Sequence, residues 1–194
     1  MPLVYQTSPE NGSLEQGELL EDIWEHRAAL PFMEFTGNEV VSFDSIHHAL
    51  MMVMTAVCDL EQDYNVRNRG EVDERDPGIV PHVLLCEVFS SEGGALWGRP
   101  GLESRQDRRR VFQNQNERYY YLPPSKTTDE HEIPGIVLDF KKSLALPTHL
   151  IYAGLQPNGI RRLGVLPPIY VHDVIQRYYS YLSRVGTPDD NPPG

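Results

Sequence analysis

The sequence predicts a mainly antiparallel α+β domain whose strands form a barrel-like sheet, with a helix closing one opening or face. Three observations carry this reading. Apolar runs of strand length recur between turn-forming residues, at 17–24, 38–43, 50–57, 80–89, 118–122, 136–140, 149–155 and 160–166. A polar stretch with helical spacing, 102–116, interrupts them, and a strongly amphipathic segment follows the last one. No repeat or linker divides the chain, and 194 residues suit one domain with a core of its own. The order strands, helix, strands, helix is that of an α+β fold.

Residues 1–16 are polar and rich in turn formers, so they read as a loosely held arm before a domain spanning 17–186. The first strand leaves Gly17, and Val40 and Val41 mark the second. The run Leu50–Val57 reads as a buried strand that stops at Cys58-Asp59. A helix over 44–54, capped by Asp44, competes for the same region, with 45–48 open between the two. Residues 61–79 are charged and contain Gly70, Pro77 and Gly78, the marks of a long loop. Asn158-Gly159 signals a tight turn. In the closing helix Val171, Val174, Ile175, Tyr178, Leu182 and Val185 share one face after Pro167-Pro168, and Gly186 supplies the stop. Residues 187–194 read as a disordered tail.

The formal net charge is −11, which disfavours long-range attraction to nucleic acid. The amino terminus lacks the basic start and apolar centre of a signal peptide, and no run approaches membrane-spanning length. The expected compartment is therefore the cytoplasm. Both cysteines, Cys58 and Cys86, lie in apolar runs and read as reduced and buried.

The segments Gln16-Gly-Glu-Leu-Leu, Met54-Thr-Ala-Val-Cys-Asp-Leu-Glu-Gln, Arg118-Tyr-Tyr-Tyr-Leu-Pro and Leu182-Ser-Arg-Val-Gly-Thr-Pro together resemble an uncharacterised bacterial family. Its members carry a Gly-Asp/Glu-aliphatic opening strand and a Thr-x-x-Cys-Asp-Leu strand end. More loosely, the chain is similar to the PemK/MazF class of toxin ribonucleases and non-catalytic modules. That likeness implies an SH3-like, PemK-like barrel with an inserted helix and a carboxy-terminal helix. It also implies a setting in a bacterial toxin–antitoxin or defence system. The toxins' basic residue before the second apolar strand has no match, since Glu39-Val40-Val41 stands there, and Thr55 is the counterpart that remains.

The candidate catalytic residues are Cys58, Asp59 and Thr55. A thiol beside a carboxylate has the composition of a nucleophile with an orienting acid, and it needs a base or positive dipole for activation. The plainer reading of Cys58 is a small packed hydrophobe at a strand end, with Asp59 holding the turn. A metal would have to draw on Asp44, His47, His48, Cys58, His82 and Cys86, but no ligand spacing of a known site is present, and no metal or cofactor is expected. Asp129-Glu130-His131-Glu132 reads as a solvated loop.

Arg105, Arg108, Arg109, Arg110 and Arg118 precede Tyr119, Tyr120 and Tyr121, the pairing of guanidinium and aromatic groups that single-stranded RNA or a protein partner would meet. Interleaved Glu103, Asp107 and Glu117 point instead to a solvated helix face. Strand alternation puts Tyr119 and Tyr121 on one face and Tyr120 on the other. On the closing helix Tyr170, Tyr179 and Tyr181 extend beyond the core stripe, where a partner helix or a second copy would dock. The expectation is a non-enzymatic interaction or regulatory module with a protein partner, a basic one suiting the acidic surface. The alternatives are a PemK/MazF-like endoribonuclease or RNA-binding barrel, and a cysteine hydrolase centred on Cys58.

Overall fold

The computed structural model describes residues 3–9, 11–29, 42–70, 73, 75–94, 96, 98–156 and 159–183. Their elements run β1 (Glu18–Ala29), β2 (Ser42–Val53), α1 (Val57–Arg67), β3 (His82–Ser90), α2 (Arg105–Phe112), β4 (Tyr119–Leu122), β5 (Ser125–Lys126), β6 (Glu132–Ile133), β7 (Ile136–Pro147), α3 (Thr148–Gly154), β8 (Arg161–Val165) and α4 (Pro168–Leu182). A six-stranded antiparallel sheet has the order β4-β7-β3-β2-β1-β8, and β5 pairs with β6 in a separate hairpin. The chain is therefore α+β and mainly antiparallel. Among the described residues no helix is long and apolar enough to cross a membrane.

Among the described residues the sheet is open, with β4 and β8 as its edges, and does not close into the barrel expected from the sequence. Both faces of the sheet are covered. Met52, Cys86, Tyr120, Leu138 and Phe140 on one face pack against Val174 and Tyr178 of α4, together with Leu3 and Tyr5 of the arm. On the other face Met51, Val53, Val83 and Leu85 meet Leu60 of α1, Ile151 of α3 and Leu14. Alternate side chains of each strand thus enter opposite layers. A third cluster seats Val111 of α2 with Leu102 on Phe89, Tyr119 and Val137 near the β4 edge. Tyr119 and Tyr120 occupy different clusters, as the alternation requires.

Several elements differ from the sequence reading. Where a second strand, a competing helix and a third strand were read, the single strand β2 runs to Val53; the third strand's last residues, 54–57, leave it and Val57 opens α1, and residues 38–41 lie outside the described residues. The supposed loop at 61–79 begins as α1. Its inward positions are Leu60 and Asp63, and the buried carboxylate at Asp63 concealed the helical stripe. Asp63 accepts from Arg67 Nε and from the Val80 amide at 2.8 Å, which ties the loop back to the helix. The strand expected at 149–155 is the helix α3, anchored by Ile151 and by a hydrogen bond from Thr148 Oγ1 to the Val80 carbonyl. The predicted helix 102–116 contracts to α2. Ser104 accepts from the Asp107 amide at 3.0 Å, and Asn114 ends the segment in the left-handed region, exchanging hydrogen bonds with the Tyr121 backbone. Asn158 of the expected turn, the stop at Gly186 and the tail lie outside the described residues.

The arm is not loose where it is described. Leu3, Tyr5 and Leu14 are buried, Tyr5 bridges to Thr127, and Gln6 bridges to Val165. A buried ion pair fastens its second half. Arg162 Nε donates to Glu18 Oε1 at 2.6 Å and its Nη2 to Oε2 at 2.9 Å, and the same guanidinium reaches the carbonyls of Gly12 and Ser13. Removing one partner of a buried pair strands a charge and typically costs ~3–5 kcal/mol. Arg162→Ala is expected to lower stability by about that much in urea unfolding. It should also release amide protection across 11–15, whereas unchanged protection there would show that the arm is held by other contacts.

Candidate functional site

Beside α4 the surface opens into a groove of about 800 Å³. Its apolar wall comes from Val171, Ile175 and Tyr179 of α4, its floor from Val165 and Leu166, and its far side from Val57 at the start of α1. Gln6, Glu15, Gln16, His172 and Gln176 supply polar groups around it. Of its large apolar and aromatic side chains Tyr179, 60% exposed, and Val57, 41% exposed, stand most open to solvent. An open, largely apolar trough with a polar rim has the make-up of a surface that receives another apolar group.

Local constraints explain its shape. Pro168 opens α4, since Pro lacks the amide that the first helical turn leaves unpaired anyway. Val174 and Tyr178 face the sheet and are buried, so the neighbouring Val171, Ile175 and Tyr179 are left along the groove side. Gly17 sits beneath them with φ +84°, and a Cβ there would lie 2.5 Å from Val171 Cγ2. Its amide donates to the Val53 carbonyl at 2.8 Å and its carbonyl accepts from the Leu166 amide at 3.2 Å. Only glycine supplies both the left-handed backbone and the clearance that lets α4 approach. Gln16 Nε2 donates to the Met54 carbonyl at 2.9 Å, which joins the arm to the end of β2.

Of the aromatic residues read as extending α4's surface, Tyr179 alone projects freely, while Tyr170 and Tyr181 are half-buried against the core. Tyr181 lies 6.1 Å from the Phe140 ring. At the other end of the helix Asp173 accepts from the Tyr120 hydroxyl, and burial followed by that hydrogen bond pushes the phenol's pKa up.

The catalytic candidates are placed as follows. Cys58 is exposed, not buried as the sequence reading had it, because it sits on the outward side of α1's first turn and not in a strand. Its sulfur donates to Asp59 Oδ1 at 3.5 Å, and no histidine is bonded to it. Thr55 Oγ1 accepts from the Leu84 amide at 2.8 Å, a link between β2's end and β3. Arg108 Nη1 donates to the carbonyls of Leu102 and Glu103, so it closes the loop before α2. Strands β3 and β7 separate β2's end, with Thr55, from β4, on which α2 packs, so Thr55 and Cys58 do not share a site with Arg108 and Arg109.

Arg105 and Arg109 are exposed on α2, beside Arg110. Tyr119 is buried, with its hydroxyl donating to the Pro100 carbonyl at 3.0 Å, and Tyr121 is half-buried with its ring 4.9 Å from Phe112. Neither offers a free stacking face beside the arginines. Arg118 is committed to the buried Asp139, with Nε and Nη2 each 2.7 Å from a carboxylate oxygen, and this pairing raises its pKa. Cys86 is buried, and desolvation followed by the nearby Asp139 and Glu87 charges pushes its thiol up.

The metal candidates stay apart. His47 bonds Asp22 and His48 bonds Glu25, each at 3.1 Å, and among the described residues no three His, Cys, Asp or Glu side chains gather into a possible site. Asp129, Glu130, His131 and Glu132 are all exposed, as a solvated loop would be. Missed from the sequence was the groove itself. Val171 and Ile175, read as members of the core stripe, are only half-buried and line the groove, and Leu182 of that stripe is exposed, so the stripe alone did not signal it.

Comparison with family models, curated proteins and solved structures returned no match.

The thiols provide a direct check on this geometry. Iodoacetamide is expected to modify Cys58 in the native protein and Cys86 only after denaturation. Native labelling that persists in Cys58→Ser would contradict the burial of Cys86.

Proposed function

We propose that this protein is a non-enzymatic interaction module that holds an apolar protein segment in the groove beside α4. The observation that carries the reading is the groove's apolar wall and far side, where Tyr179 and Val57 stay largely exposed although each lies next to a packed core. Burying an aromatic side chain against such a wall stabilises a complex by about 1.5–3 kcal/mol, and tyrosine is enriched where proteins meet. The candidate thiol, hydroxyl and guanidinium groups, by contrast, are dispersed over separate elements. Catalysis needs its groups held together.

Anilinonaphthalene sulfonate, an apolar dye, reads the groove directly at nanomolar protein concentration. Tyr179→Glu and Val57→Asp each put a carboxylate into it without touching the core. Each is expected to weaken dye binding about tenfold, roughly 1.4 kcal/mol, with thermal midpoints nearly unchanged. Dye binding equal to that of the unaltered protein in both variants would remove the groove as a binding surface.

A second reading, binding of single-stranded RNA, rests on a polar hollow of about 780 Å³ lined by Arg105, Gln106, Arg109, Arg110, Gln113 and Gln115. Arginines on one helix face can follow a phosphate backbone even on an acidic protein if the patch is local. Fluorescence anisotropy with a labelled oligouridine at low salt is the test. Arg105→Glu with Arg109→Glu should then cut affinity by about tenfold or more. Absent binding to the unaltered protein, or binding indifferent to these changes, would eliminate the reading.

A further inference from the structure

α2 turns one side to solvent that the sheet does not use. Val111 is its buried residue, and it seats the helix against Phe89, Tyr119 and Val137. Arg105, Arg109 and Phe112 follow one another at spacings of four and three residues, so they form a row on one helix face, neighbours about 5–6 Å apart at Cβ. All three are exposed, Phe112 by 44%. Two hollows meet along this row. One, of about 520 Å³, is bounded by Arg105, Arg109, Phe112 and Gln113 together with Leu96. The polar hollow described above shares Arg105, Arg109 and Gln113 with it.

Two acids of the same stretch are taken up by other groups. The Ser104 hydroxyl donates to Asp107 Oδ2 at 2.5 Å, and Glu103 Oε1 accepts from the Gly101 amide at 2.9 Å. Arg108 turns to the Leu102 and Glu103 carbonyls. Among the described residues no hydrogen bond or ion pair engages the Arg105 or Arg109 guanidinium. Two guanidinium groups one helical turn apart can clasp a phosphate through charge-assisted hydrogen bonds. An exposed ring three residues further on offers a π-face beside that phosphate.

We propose that this row is a nucleotide site, in which Arg105 and Arg109 hold the phosphate and Phe112 stacks on the base. It rests on the second reading above, that the arginines of α2 take phosphate, and it adds the group that takes the base. Tyr119 and Tyr121 do not serve, since the first is buried and the second half-buried. Phe112 meets Tyr121 edge to face at 4.9 Å, and nearly half of its surface remains for a second ring. The hollow beside it falls within the roughly 300–1,000 Å³ of small-ligand sites. Gln113, which borders both hollows, carries a donor and an acceptor for a base edge or a sugar hydroxyl. A free nucleotide and a nucleotide within a single strand present this same chemistry.

Fluorescence anisotropy at low salt, with a labelled oligouridine and a labelled abasic strand of equal length, gives the test. Phe112→Leu keeps apolar bulk beside Tyr121 but removes the aromatic face. It is expected to weaken oligouridine binding about tenfold and to leave the abasic strand unchanged. Phe112→Trp, which keeps a ring there, should bind oligouridine at least as tightly as the unaltered protein. Arg105→Glu with Arg109→Glu should weaken both strands. Displacement of the labelled strand by uridine monophosphate as readily as by unlabelled oligouridine would identify a free nucleotide as the ligand, and displacement by oligouridine alone a strand. Unchanged oligouridine affinity in Phe112→Leu would overturn the stacking site while the arginine reading stands. Polyglutamate binding as tight as that of oligouridine would overturn it in favour of an acidic protein segment. Binding of neither strand would remove the arginine reading and the site together.

Discussion

The contact on which the rest depends is the carboxylate of Glu18 clasped by Arg162. Glu18 is fully buried, and its oxygens accept from Arg162 Nε and Nη2 and from the Glu15 amide. Taking both charges out of water costs several kcal/mol per ion, recovered only if every donor and acceptor finds a partner. The guanidinium completes its set with the carbonyls of Gly12 and Ser13. The arm has to wrap around the β1–β8 edge for the pair to be satisfied at all. That wrap brings Glu15 and Gln16 to the groove beside α4.

Gly17 follows directly from this anchor. It joins β2's end to β8's exit through its own amide and carbonyl, and it leaves room for Val171 where any side chain would collide. A left-handed non-glycine residue costs roughly 1–2 kcal/mol before any clash is counted. The groove is therefore a by-product of how the sheet is tied. The ion pair positions the arm, the arm positions Gly17, and Gly17 sets the depth at which α4 lies.

Much of the topology was legible where alternation or helical spacing is clean. β3, β4, β8 and α4 stand where their apolar patterns put them, and Tyr119 and Tyr120 point to opposite layers as a strand demands. The helix at 57–67 was missed because polar residues in this chain hold inward positions. Asp63 in α1, Glu18 in β1 and Asp139 in β7 are all buried, each satisfied by an arginine. A pattern of apolar and polar letters reads each as an outward residue and so loses the helix at 57–67. In α3 the run Leu150-Ile151-Tyr152 has strand-like letters, but Thr148 and Pro147 start a short helix that covers the sheet end. The groove was illegible for another reason. It depends on clearance between Gly17 and Val171, which no local pattern records.

The outer half of the β1–β2 hairpin, from Trp24↔His47 outward, extends the same logic to the protein's surface. Among the described residues its two edges pair with no further strand, an invitation to uncontrolled strand addition. Glu25, Arg27, Asp44, His26 and His47 line it, with Arg27 and His48 both bonded to the Glu25 carboxylate. The Arg27 hydrogen bond leads in holding that carboxyl below its usual range. Charged and hydrogen-bonding side chains along an edge oppose sideways addition of another strand. The left-handed backbone at Asp22, inside β1, is a cost offset by the hydrogen bonds its carboxylate accepts from His47 and Arg161.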